Sequence, residues 1–235
     1  MKLCIILILF LSAWAEAQYD ENNFSIGLNL VYTTDARIFL DPNSPDPVER
    51  NSSFGLSDIV NPGINFRYKL LDQVLLSLNI EYMKSTAMGM NEKVISNGIV
   101  RYINVEDGFE MMPVELSIYY MLPFSTEKLK FLMGGGLGYY YASMIRKFGD
   151  AQVSNAKRDF AYGVQVAIDM DYLLTDNIAL KGEMKFRDPQ ISVKSMYNKQ
   201  QYNYNGSIVK LTRQEFDSQI DVNGITFVLG TIFYF

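Results

Sequence analysis

Eight stretches of this chain alternate apolar with polar or small residues at a period of two, and in each of them one face carries no charge. A period of two is that of a β-strand, whose successive side chains point to opposite sides of a sheet. The outermost apolar series are Phe24 to Tyr32, Ile64 to Tyr68, Val74 to Tyr82, Val114 to Tyr120, Phe131 to Tyr139, Phe160 to Tyr172, Ile178 to Phe186 and Phe227 to Phe235. Charges are 20% of the sequence, so several should have fallen on those faces by chance. An Arg or Lys facing the middle of a bilayer costs about 2–4 kcal/mol, which would exclude them if the faces meet lipid.

Alternation by itself also suits a soluble sandwich or a lipocalin-like barrel, with the apolar face turned inward. The connections distinguish the two. Short ones surround residues 70–73, 123–128 and 173–177, and long ones cover about 33–58, 84–109, 143–158 and 188–218. Transmembrane barrels combine short periplasmic turns with long external loops in this way. Hydrocarbon offers backbone groups no hydrogen-bond partner, so an open sheet edge in a bilayer is prohibitive and the last strand must pair with the first. The expectation is an all-β fold, an eight-stranded antiparallel up-and-down transmembrane β-barrel with short periplasmic turns and long extracellular loops. Tyr32, Tyr68, Tyr82, Tyr120 and Tyr172 at strand ends suit the aromatic girdles of such a barrel.

The first residues read as a secretory leader: Lys2, an apolar stretch from Leu3 to Trp14, and small residues at Ala15 and Ala17. Cleavage after Ala17 would leave a barrel domain over 18–235 without cysteine, tryptophan or histidine. The leader is too short to span a membrane, which takes about 20 apolar residues. A net charge of −5 gives no footprint for nucleic acid.

A leader, eight alternating strands and a final apolar strand ending in an aromatic resemble the small outer-membrane β-barrels of Gram-negative bacteria. Residues 112–120 (MPVELSIYY) and 172–186 (YLLTDNIALKGEMKF) resemble segments of the porin-family and PorT-like barrel domains of the Bacteroidota. The resemblance implies that Phe227, Leu229, Phe233 and Phe235 form the signal read by the barrel-assembly machinery, with Thr231 departing from the apolar pattern. It also implies contact with outer-membrane lipid and lipopolysaccharide, and an accessory role in protein secretion as one candidate function.

An eight-stranded barrel is just wide enough for its interior side chains to fill it. The inward positions offer Arg67, Lys69, Lys181, Lys185 and Arg187 against Glu81, Glu115, Asp169, Asp171 and Glu183. Buried charges need partners, so the simplest use of this set is an internal ion-pair network; the other is a polar path for a small solute. Enzymatic barrels that rely on a histidine base have no counterpart in a histidine-free chain, and neither a cofactor nor a metal site is expected. Residues 41–49 hold several carboxylates without the spacing of a calcium loop. The glycines of 133–141 belong to a strand with no following helix, so they read as room for bulky neighbours such as Tyr119 rather than as a phosphate loop.

Two Asn-Gly pairs, in 93–105 and 202–211, are hairpin signals and predict strands projecting beyond the membrane, with an edge able to add a partner's strand. Arg146, Lys147, Lys157 and Arg158 against Asp150 form a basic third loop that would face lipopolysaccharide phosphates or water. The sequence therefore points to a non-enzymatic barrel with a structural or surface-interaction role. Small-solute transport, through the barrel or sideways from it, is the alternative, beside the secretion role.

Overall fold

The computed structural model describes residues 23–235 apart from 152 and 159, and not the side chains of 157 and 158. The leader over 1–17 lies outside the described residues. Among the described residues there are fourteen strands, against the eight expected, and one four-residue helical turn, α1 (Pro47–Arg50). The strands are β1 (Phe24–Phe39), β2 (Ser53–Leu71), β3 (Val74–Glu81), β4 (Met83–Ser96), β5 (Ile99–Met121), β6 (Leu129–Lys147) and β7 (Val153–Arg158). They continue with β8 (Ala161–Thr175), β9 (Ile178–Arg187), β10 (Gln190–Tyr197), β11 (Gln201–Tyr204), β12 (Ser207–Leu211), β13 (Glu215–Asp221) and β14 (Ile225–Tyr234).

Toward the end with the short turns, antiparallel pairings run β1–β2–β3–β5–β6–β8–β9–β14, and β14 pairs back with β1, Ser25 opposite Tyr234 through Thr33 opposite Thr226. Here apolar side chains look outward. Leu28, Leu30, Leu116, Leu137, Val164, Val166, Ile168 and Leu229 are exposed, whereas Asn65, Arg67, Glu115, Asp169 and Lys185 on the alternate positions are buried. Rings bound this band at both heights: Tyr68, Tyr120 and Tyr172 near the turns, Tyr32, Tyr82 and Tyr162 at the far rim. From Phe24 to Tyr32 the strand rises about 26 Å at about 3.3 Å per residue, before any tilt.

Glycine packs the inner wall closely. A Cβ on Gly136 would strike the Leu116 carbonyl oxygen of the neighbouring strand, and one on Gly134 would come within 2.8 Å of the Tyr119 ring. These strands approach one another because the side chain is missing.

The strands continue beyond the far rim, as expected around the two Asn-Gly pairs, and also through 33–39, 53–58, 143–147, 190–197 and 215–221, where the sequence suggests loops. In this tall end the chain forms two leaves, β7–β10–β13–β1–β2 and β11–β12–β4–β5–β6. The facing is reversed: Ile38, Leu56, Val94, Phe109, Met144, Val193, Tyr197, Leu211 and Ile220 pack together between the leaves. Charged pairs such as Lys194–Glu215 lie on the outside. A core of this kind is what a sheet standing in water requires. Both Asn-Gly pairs make the expected turns, with positive φ at Asn97, Gly98, Asn205 and Gly206.

Among the described residues no backbone ladder joins β6 to β7 or the upper part of β2 to β4. The β6–β7 seam is bridged instead by the Met144 amide donating to the Asn155 side chain at 3.1 Å. The β11–β12 hairpin leaves the first leaf and pairs with β4 of the second through Lys210 opposite Ile95 and Leu211 opposite Val94. It thus crosses the open end.

Candidate functional site: the filled lumen and its outer cavity

Alternation along β2, β3, β5, β8 and β9 projects charges from five strands into one narrow interior, where they meet in two groups. Nearer the short turns, Arg67 contacts Asp169 and reaches Asp171 at 2.6 Å. Lys181 meets Glu183 at 2.7 Å and Asp169 at 3.8 Å. Tyr119 donates its hydroxyl to Glu183 at 3.1 Å and lies 5.9 Å from the Arg67 guanidinium. Above them, Lys185 contacts Glu81 and lies 2.7 Å from Glu115, while Arg187 reaches Glu81 at 2.9 Å and Glu115 at 3.1 Å. Tyr140 donates to Glu115 at 2.9 Å.

Nine of the ten residues named as inward charges thus pair with one another inside the ring. Lys69 stands apart. It pairs with Asp72 of the adjoining turn at 3.2 Å and, with Lys130, lines a cavity of about 420 Å³ below Arg67. All five girdle tyrosines face outward, Tyr32 donating to Asp58 at 2.6 Å and Tyr120 to Gln73 at 2.8 Å. Phe227 and Leu229 are exposed on the apolar band, with Phe233 and Phe235 half-buried.

Two sequence readings are corrected here. Arg146 is not a solvated loop charge: it lies on β6, buried between the leaves, with two bonds to Asp107 (2.6 and 2.9 Å) and one to Glu92 (2.6 Å). Its guanidinium sits 4.7 Å from the centre of the Phe216 ring. The edge of the projecting sheet is also partly closed, because the Asn203 amide of β11 donates to Asp150 at 2.8 Å.

The Arg146 group is a buried ion cluster that the sequence pattern does not reveal. Glu92 is buried, accepts from the Tyr197 hydroxyl at 2.8 Å, and lines a cavity of about 250 Å³ at the tall end. Arg213 bonds Asp41 (2.6 Å) and Lys93 bonds Glu49 (2.5 Å) around the same cavity. Burial pushes the Glu92 carboxyl above the usual carboxylate range, against the opposing pull of Arg146.

A raised carboxylate pKa means that the folded state holds its proton where the unfolded chain has lost it. Stability is then greatest below the ordinary Glu value and falls as pH rises through the raised one. Amide exchange in β4 and β10, corrected for its intrinsic pH dependence, is expected to speed up across that window in the wild type and to stay level in Glu92→Gln.

No protein-family model matches the sequence, and no curated protein matches it at a significant level. Among solved structures, the outer membrane protein OprG from Pseudomonas aeruginosa superposes with a TM-score of 0.62 at 13% identity, over 91% of this chain and 96% of that one. Neisserial surface protein A aligns over 90% of this chain and 97% of its own at 14% identity, with a looser TM-score of 0.48. The chain thus shares its fold with that outer membrane protein. Its outward apolar band is of the kind that a transmembrane barrel turns toward lipid.

Proposed function

We propose that the chain is a non-enzymatic, eight-stranded transmembrane barrel that admits small solutes from outside and releases them sideways into the outer leaflet. In this reading the short turns lie in the periplasm and the tall end outside. The β6–β7 seam is the observation that carries it. The axial route is filled by paired charges, whose separation would strand ions in a poorly solvated interior. The interior above them is an apolar core that encloses one ion cluster, Arg146 with Glu92 and Asp107. Beside the seam, at the upper rim of the lipid band, a depression of about 370 Å³ is lined by Tyr82, Met112, Tyr141 and Ile145 on the outside, by Met111 and Met144 of the inner core, and by the polar Glu110, Ser143 and Asn155. Residues of the inner core and of the outer surface meet in that one depression.

Vesicles carrying the purified protein are expected to take up an apolar fluorescent probe such as N-phenylnaphthylamine several-fold faster than empty vesicles, while planar bilayers show no steady ionic current. Equal uptake with and without protein removes the reading; a steady current removes the filled lumen.

A surface-interaction role has one feature in its favour. Ile99, Val100, Tyr102 and Ile208 are exposed on the projecting sheet, above the lipid band. Serine at Val100 and Ile208 would abolish any self-association seen by light scattering in detergent. The PorT-like secretion role rests on the quoted segments alone. Phe227, Leu229, Phe233 and Phe235 remain the proposed assembly signal, with lipid, lipopolysaccharide and the assembly machinery as the proposed partners.

A further inference from the structure

The outer cavity has an unbalanced charge. Its wall contributes Asp41, Glu49 and Glu92 against Lys93 and Arg213. Behind Glu92, Arg146 is shared between that carboxylate and Asp107, which also accepts from Asn91 at 3.0 Å. Asp41 is matched by Arg213 and Glu49 by Lys93, so the excess falls on the buried pair Glu92 and Asp107, which have one guanidinium between them.

Both hydrogen bonds to Glu92, from Arg146 and Tyr197, go to Oε2, and Glu92 lines the cavity, so Oε1 is the oxygen left to accept there. A net negative charge held between apolar leaves has to be neutralised, by a proton or by a cation. Among the described residues no group of three or more carboxylates is gathered closely enough to hold a metal ion. Leu40 and the Tyr102 ring supply an apolar wall on the same cavity, and Lys93 already lies 5.6 Å from the centre of that ring, as an ammonium would.

We infer that this cavity is a binding site for small solutes that join a primary ammonium to an apolar body, the ammonium donating to Glu92 Oε1 and the body resting on Leu40 and Tyr102. The inference rests on the solute-entry reading and gives its solute class. Glu92 is the residue that sets specificity. Arg146 and Tyr197 are positioning residues that hold the carboxylate by its other oxygen. The β12–β13 connection, with Thr212 bonded to the Lys93 carbonyl at 3.3 Å and Arg213 to Asp41, forms another side of the cavity.

The test is calorimetric titration of the full protein in lipid nanodiscs with n-butylammonium, n-butanol and calcium at pH 8. Saturable butylammonium binding is expected, at least tenfold tighter than butanol, unaffected by equimolar calcium, and weakened tenfold or more in Glu92→Gln. It should be unchanged in the control Glu106→Gln, a half-buried carboxylate that does not line the cavity. Affinity should also rise with pH as Glu92 ionises, a dependence that a merely structural Glu92 would not give, and that Glu92→Gln should lack whether or not its fold is perturbed. Equal binding of butanol, displacement by calcium, a pH-independent affinity or no saturable binding would overturn the site. Because binding is read on the protein itself, a silent vesicle assay would sink lateral passage and leave the site standing.

Discussion

Lys185→Met is expected to destabilise the barrel by about 3–5 kcal/mol, the cost of stripping one partner from a buried ion cluster. Lys185 lies between Glu81 and Glu115, and its removal leaves both carboxylates to Arg187 alone. The side chain is nearly fully enclosed, so water is poorly placed to take over from it. Urea titration of the protein refolded into lipid vesicles would read the loss as a lower unfolding midpoint. Adding Glu81→Gln should then recover most of it, because Arg187 and Glu115 form a balanced pair. That recovery separates lost charge compensation from lost packing, which a second substitution would not restore. A cost below about 1 kcal/mol would mean that water screens the cluster and that the lumen is not filled in the sense proposed.

The ring near the short turns was legible because lipid imposes a rule that a sequence can carry. One side of every strand must be free of charge, and charges left on the other side must find each other. Arg67, Glu115, Asp169 and Lys185 follow from parity alone. The tall end obeys the same period with the opposite facing, and a period does not say which side is wet. In β10, Ile191, Val193 and Tyr197 alternate with Ser192, Lys194 and Met196 just as a membrane strand would, yet they pack inward beneath an exposed lysine.

Arg146 was within reach of the argument. It shares parity with Gly134, Gly136, Gly138, Tyr140, Ala142 and Met144, and extending that series through the rim places it inside. Glu92 was not, because the register of β4 against β5 shifts between Gly89 and Glu92, and an irregularity of that kind hides which face a residue takes. A residue in the left-handed region at Asp58 marks the similar change of facing between Leu56 and Ile59 in β2, and a sequence does not announce it.

Two exposed isoleucines decide whether the facing has been assigned correctly. Ile168 sits mid-strand on β8, flanked across the sheet by Met133 and Met184, and is 51% exposed. Ile208 is 72% exposed on β12, opposite Asn203. By exposure alone, arginine should be accepted at either position. If the band around Ile168 meets hydrocarbon, Ile168→Arg should cost about 2–4 kcal/mol in vesicle-based urea titration. Ile208→Arg, standing in water, should stay within about 0.5 kcal/mol of the wild type. The contrast depends on solvent rather than on contacts, since neither side chain is enclosed by protein. Equal and small costs at both positions would mean that the outward apolar rows do not face lipid, and the orientation of every strand in the ring would then need another explanation.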